Sequence, residues 1–228
     1  MSVKPALYAV NVSPLVTDDA LFRKAFALAS PTRKEKAARY RRREDAALSL
    51  GAELLLRYAF SKAGEPFPTA FFTSPDGKPF APGSPLCFNL SHSGEWAVCA
   101  VANGEVGCDV EKLDPAHADV AKRCFTAAEN AQLDEAKTEA ERVCRFFRLW
   151  TLKESFQKAV GQGLKLPLSS FSVTLGEPSR IDTAPDAAFW EYRDLPGYAC
   201  AFCALSNEEP PPLSVVFIEE LLQNGVEK

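Results

Sequence analysis

The chain has 228 residues, 46% hydrophobic and 25% charged, with a formal net charge of −4 at pH 7. That composition excludes a disordered chain, and the charge argues against a whole-molecule attraction to nucleic acid or to a membrane surface. No apolar run approaches the roughly 20 residues that span a bilayer. The start, MSVKPALYAVNVSPL, lacks the apolar core and small-residue cleavage pattern of a signal peptide, so a cytoplasmic protein is expected. Seven cysteines are scattered at 87, 99, 108, 124, 144, 200 and 203. Their number is odd and most sit in apolar runs, which reads as small buried hydrophobes in a reducing compartment.

The elements follow in chain order. LYAVNV reads as a strand. A helical block follows from about 17 to 63, with Ser30-Pro31 as one helix start. EDAALSLGAELLLRYAFSKAG carries apolar residues at helical spacing and stops near Gly64 and Pro66. SPDGKPFAPGSP is loop chemistry, and LCFNLSHS and EWAVCAVA are strands. The second half restarts with the strand VGCDVEK, continues with helices at roughly 115–125, 126–136 and 139–160, and ends in strands near FSVTL, AFWEYRD, YACAFCALS and LSVVFIE. The odd spacing of Cys200 and Cys203 points them to opposite faces of their strand. The shared order of elements predicts an α+β fold, a pseudo-twofold duplicate of two similar halves at 1–105 and 106–228.

Two stretches carry chemistry. In GCDVEK, Asp109 and Glu111 stand two apart on a strand and share one face. In RFFRLWTLKESFQKAVGQG, Val143, Phe147 and Trp150 form an apolar stripe whose next positions are Glu154 and Lys158. A glutamate that continues a core stripe is costly unless compensated. One compensation is an ion pair with Lys153 or Lys158; the other is a cleft in which Glu154 meets a ligand. A divalent cation would relieve the crowding of Asp109, Glu111 and Glu154, and Mg²⁺ favours one or two carboxylates with water and phosphate oxygens. FNLSHSG offers Ser91, His92 and Ser93 as donors from a loop, and RKEKAARYRRR holds seven basic residues in eleven. Either is an ordinary surface feature or part of an anion site. The turn DGKP places Lys78 on a rigid corner. The acidic residues alone also permit a metal-dependent hydrolase of a nucleotide diphosphate, against which the combined motifs and the basic run argue.

In this order and at these separations, FNLSHSG, VGCDVEK and LWTLKESFQKAVGQGL resemble the 4′-phosphopantetheinyl transferases, the monomeric surfactin-synthetase-activating type in particular. SPTRKEKAARYRRREDA and LPLSSFSV extend the resemblance over nearly the whole chain. It implies transfer of 4′-phosphopantetheine from coenzyme A to a serine of an apo acyl or peptidyl carrier protein, with release of 3′,5′-ADP. The carrier would serve fatty acid, polyketide or nonribosomal peptide synthesis. By matching position, Asp109, Glu111 and Glu154 would hold Mg²⁺, and Glu154 would deprotonate the serine directly or through water. Lys158 would neutralise phosphate charge, and Ser91 and His92 would meet the coenzyme A phosphates and ribose. Lys78 and Pro79 match an adenine-side loop; Arg33 and Lys36 match a 3′-phosphate pair, with Ser49 nearby. Arginine at 33 and serine at 49 depart from the commoner lysine and threonine but keep a donor. The carrier is expected to dock on the segment around 115–140, with Val120, Phe125 and Leu133 as apolar candidates and Lys122 and Arg123 as charged ones.

Overall fold

Strand alternation sets which face each side chain shows, and here it builds four layers in the order helix, sheet, sheet, helix. The structure, a computed structural model, describes residues 3–116, 124–184, 186–205, 209 and 211–224. Strand β1 (Ala6–Asn11) leads into α1 (Ser13–Thr17), α2 (Asp19–Leu28), α3 (Pro31–Arg39) and the 20-residue α4 (Arg43–Lys62). A short hairpin, β2 (Phe72–Thr73) and β3 (Pro79–Phe80), precedes β4 (Cys87–Ser93), β5 (Trp96–Ala102) and β6 (Val106–Lys112). Then come α5 (Ala127–Asp134) and the 22-residue α6 (Glu139–Val160). Strands β7 (Val173–Thr174), β8 (Arg180–Ile181), β9 (Ala188–Tyr192), β10 (Tyr198–Ala204) and β11 (Leu213–Val216) follow, and α7 (Ile218–Asn224) ends the described chain.

The first sheet has the order β11-β1-β5-β4 and the second β6-β10-β9. Leu7, Ala9, Val98 and Ala100 from the first sheet share a core with Val106, Cys108, Val110 and Phe202 from the second. The alternate residues of the first sheet, Val10, Ala97, Cys99 and Val101, pack with Leu50, Leu54 and Leu55 of α4. Those of the second, Ala199, Ala201 and Cys203, pack with Leu149, Leu152 and Phe156 of α6. Cys200 and Cys203 therefore lie in different cores, as their spacing requires. All seven cysteines are free; Cys144 is exposed, unlike the buried set expected.

Local chemistry fixes the helix starts. Ser30 caps α3 through Arg33 N with Pro31 in the first turn, and Thr126 and Glu129 close a reciprocal capping box on α5. The expected span of α6, 139–160, coincides with the helix, which Gly161 stops at φ +75°. Most of the expected helix at 115–125 lies outside the described residues. The division at 105/106 does not follow packing to the end of the chain. β11 pairs in parallel with β1, and Ile218, Leu221 and Leu222 of α7 sit in the first core, so the C-terminus returns to the first sheet.

Candidate active site

The second sheet meets α6 without side-chain spacing at Gly107. A Cβ there would lie 2.0 Å from the Ser155 carbonyl oxygen and 2.5 Å from the Ala159 nitrogen, so only glycine lets β6 and the helix backbone approach. Because Val106, Cys108 and Val110 face the inter-sheet core, Gly107, Asp109 and Glu111 face α6. The close contact brings Asp109 opposite the last two turns of the helix. Lys158 Nζ donates to Asp109 Oδ1 at 2.6 Å and to Ser91 Oγ at 3.2 Å. Ser91 Oγ in turn donates to the same Asp109 oxygen at 2.7 Å. Lys158 thus pairs with Asp109 rather than with Glu154.

Lys153, the other partner considered for Glu154, points away from the cleft. It is wholly buried and pairs with equally buried Glu129, and it also donates to the Phe171 carbonyl at 2.6 Å. Glu129 is saturated by further donors, Thr126 N, Thr126 Oγ1 and Val173 N. The pair ties α5 and the chain around Phe171 to α6. Burial raises the Glu154 carboxyl above its ordinary pKa, the Asp109 charge raises it further, and Lys158 opposes them. Glu111 is raised by burial first, then by Asp109, with a smaller contribution from Glu154; Ser93 and Lys158 work the other way. The three carboxylates therefore feel one another across one space. For Lys158, burial is the largest influence and would lower its pKa, but the charge and hydrogen bond of Asp109 outweigh it and the ammonium is raised.

The donor set fits a hard cation. Among the described residues, Asp109 Oδ2 is buried and accepts no hydrogen bond, a costly state for a carboxylate oxygen without a partner. As placed, no three His, Cys, Asp or Glu side chains among the described residues converge closely enough to enclose a metal ion alone. An open site completed by water and ligand phosphate needs no such enclosure.

The basic side of the cleft is built from the first half. Residues 91–93 end strand β4, as the strand expected at LCFNLSHS requires, and are not loop donors. Asn89, Ser91 and Ser93 face β6, and His92 shows the alternate face. Desolvation lowers the His92 pKa, and Lys158, Lys36 and Arg33 lower it further, which puts these four groups in one positive field. Arg33 is held by buried Glu53 at 3.2 Å and donates to Ser49 Oγ at 3.1 Å, so Arg33 and Ser49 do meet. Glu53 also binds Ser30 N, Ser30 Oγ and Arg57, which makes it the brace of this corner.

Lys78 stands in the β2–β3 turn, the rigid corner expected. Its ammonium is committed to Glu105 and to the carbonyls of Val106 and Ala159, so it clips the β2–β3 hairpin to β6 and to the end of α6. Lys78 and Pro79 still line a cavity of about 150 Å³ with Asn89, Gln157 and Lys158. Of the expected docking residues, Phe125 and Leu133 are core side chains, 5% and 1% exposed, and offer nothing to a partner. Val120, Lys122 and Arg123 lie outside the described residues. Asn89, Gly107, Glu53 and the Glu129–Lys153 pair were not singled out by the sequence. The N-x-S-x-S alternation of β4, parallel to the D-x-E of β6, was the signal for the first of them.

An α+β fold that pairs the buried Asp109 carboxylate with the Lys158 ammonium where β4, β6 and α6 meet provides a charged cleft of the kind enzymes use. The family model of the 4′-phosphopantetheinyl transferase superfamily matches residues 105–203. The chain is 37% identical over 201 residues to 4′-phosphopantetheinyl transferase Sfp of Bacillus subtilis (strain 168), covering 85% of this chain and 89% of that relative. It is 40% identical over 204 residues to another 4′-phosphopantetheinyl transferase of Bacillus subtilis, covering 86% and 91%. Over 228 residues it is 31% identical to 4′-phosphopantetheinyl transferase psf-1 of Bacillus pumilus, covering 95% and 97%. The chain belongs to the 4′-phosphopantetheinyl transferase superfamily.

Proposed function

We propose that this protein transfers the 4′-phosphopantetheine group of coenzyme A to a serine of an apo acyl or peptidyl carrier protein and releases 3′,5′-ADP. What supports the reading is the Lys158–Asp109 pair at 2.6 Å, with Glu111 and Glu154 near enough to feel the Asp109 charge, in a chain of this family. The serine oxygen attacks the β-phosphorus, a new P–O bond forms, and the bond to the oxygen that leaves with 3′,5′-ADP breaks. The serine proton goes to Glu154, directly or through one water. Lys158 lies where charge on the phosphates would build and supplies a fixed cation. Arg33, Lys36 and His92 hold the 3′-phosphate and neighbouring groups, with Ser49 orienting Arg33 and Ser91 orienting Lys158. Lys78 and Pro79 border the adenine side of the cleft. Asp109, Glu111 and Glu154 would hold Mg²⁺. When bound, that ion draws charge from the diphosphate as a Lewis acid.

The seam is assembled from one chain, which supports a monomeric enzyme. No helix among the described residues is long and apolar enough to cross a membrane. The test is mass spectrometry of an apo carrier protein incubated with the enzyme, coenzyme A and Mg²⁺. The expected result is a gain of one phosphopantetheinyl group that a chelator prevents. Release of 3′,5′-ADP without that gain would make the protein a hydrolase instead.

A further inference from the structure

β4 and β6 run side by side in the same direction, yet side chains join them in place of a backbone ladder. Asn89 Oδ1 accepts from Cys108 N at 3.0 Å, Ser91 Oγ lies 3.5 Å from Val110 N, and Ser93 Oγ accepts from Lys112 N at 3.1 Å. The period of two is the same on both strands, so the teeth stay in register. Each serine is oriented by a backbone N–H and turns its own proton to a carboxylate. Ser91 donates to Asp109 at 2.7 Å and Ser93 donates to Glu111 Oε2 at 2.8 Å.

The two serines differ in what else they touch. Ser91 shares Asp109 with Lys158, whereas among the described residues Ser93 is the one hydrogen-bond donor to the Glu111 carboxylate. Glu111 also needs the help more. It is half-buried near the end of β6, and beside it opens a cavity of about 360 Å³ lined by Ser93, Lys112, Asp114, Phe146, Phe147 and Trp150. A glutamate has three rotatable side-chain bonds, and this space lets its carboxylate turn away from Asp109. We propose that Ser93 is a positioning residue whose hydroxyl holds the Glu111 carboxylate toward the shared acidic space, and so sets the affinity for the divalent cation. The inference rests on the metal reading given above. It assigns Ser93 to the protein's own carboxylate and takes it out of the set of phosphate donors.

The hydroxyl can be removed at small structural cost. The Lys112 N–H that it accepts from is exposed and can turn to water, unlike the buried Cys108 N–H served by Asn89. The experiment compares wild type, Ser93→Ala, Ser93→Thr and Asp109→Ala, each with coenzyme A, and counts free Mn²⁺ by electron paramagnetic resonance. Loss of a group that orients a metal ligand costs about 10–100-fold in metal affinity. Ser93→Ala is expected to raise the Mn²⁺ Kd by at least about 10-fold and Ser93→Thr to restore it to within about twofold. The Mg²⁺ concentration for half-maximal transfer should rise by the same factor while kcat at saturating Mg²⁺ recovers. Metal-free coenzyme A affinity and the melting midpoint act as controls and should stay close to wild type. An unchanged Mn²⁺ Kd in Ser93→Ala overturns the inference, as does a folded Ser93→Thr that binds as weakly as Ser93→Ala. If wild type and Asp109→Ala bind Mn²⁺ alike, the metal reading itself falls and the inference with it.

Discussion

Asp109 carries two duties at once, and its substitution separates chemistry from fold. Its Oδ1 receives Lys158 and Ser91 while its Oδ2 accepts nothing among the described residues. Asp109→Ala is expected to lower transfer by more than about 100-fold, beyond the usual cost of losing an outer-shell group. Lys158 is partly exposed and can turn to water, so circular dichroism and the melting midpoint should change little. Near-normal activity at limiting Mg²⁺ would remove Asp109 from the metal site. The basic corner gives a second test. Arg33→Ala with Lys36→Ala should weaken coenzyme A much more than dephospho-coenzyme A, because charge-assisted contacts contribute about 1.5–3 kcal/mol each. Calorimetry with both ligands reads the difference, and equal losses would leave these residues as a solvated helix face. Glu53 braces that corner, and its sign is worked out from its hydrogen bonds. Burial is the largest influence and raises its pKa, but Ser30 N, Ser30 Oγ and Arg57 together outweigh it and the carboxyl ends lowered. Its stabilisation is fully present above the ordinary carboxylate value and is lost as pH falls through the lower folded value. Glu53→Gln should therefore reduce the urea midpoint at pH 7 and converge with wild type in strong acid. At this scale the sequence showed Asp109, Glu111, Glu154 and Lys158 because period and charge conflict with burial there. It did not show Glu53 or Glu129, because nothing local marks which carboxylate will meet its donors from distant segments.

Between elements, the decisive contact is backbone on backbone. Gly107 in β6 lies under Ser155 and Ala159 of α6, and backbone atoms cannot rotate away as a side-chain tip can. Gly107→Ala is expected to destabilise by about 1–3 kcal/mol, the range for overpacking, and to separate Asp109 from Lys158. Its activity should fall further than its stability explains, which transfer kinetics at a temperature well below the melting midpoint can read. A variant that melts and transfers like wild type would show that the seam tolerates the extra carbon. The helix itself was legible: its apolar stripe, its start near 139 and its stop before Gly161 all lie within a local window. Its rotation was not. Lys153 and Lys158 stand five apart, and the sequence alone left both as partners for Glu154. Glu129 and Phe171 claim Lys153, Asp109 claims Lys158, and each of these choices depends on a chain segment remote in sequence.

At the scale of the whole molecule, we propose that the two halves are copies of one unit, a long helix laid on an antiparallel sheet with the sheets packed back to back. Their order of elements was readable because strand and helix periods are local. The return of the C-terminus was not, because a parallel pairing of β11 with β1 joins residues about 200 positions apart, with no turn to announce it. That return has a testable consequence. Val216, Ile218, Leu221 and Leu222 are buried in the core that belongs to the first half. Full burial of a large aliphatic side chain contributes about 1.5–3 kcal/mol, so the four together contribute about 6–12 kcal/mol as an upper estimate. A domain of this kind has about 5–15 kcal/mol in total. Truncation after residue 210 is therefore expected to unfold the first half, although it leaves Asp109, Glu111, Glu154 and Lys158 in the chain. The first half supplies Ser91, His92 and Arg33 to the seam, so transfer should disappear along with the cooperative melt. A truncated chain that melts near the wild-type midpoint and still transfers would show that β11 and α7 only decorate the sheet edge.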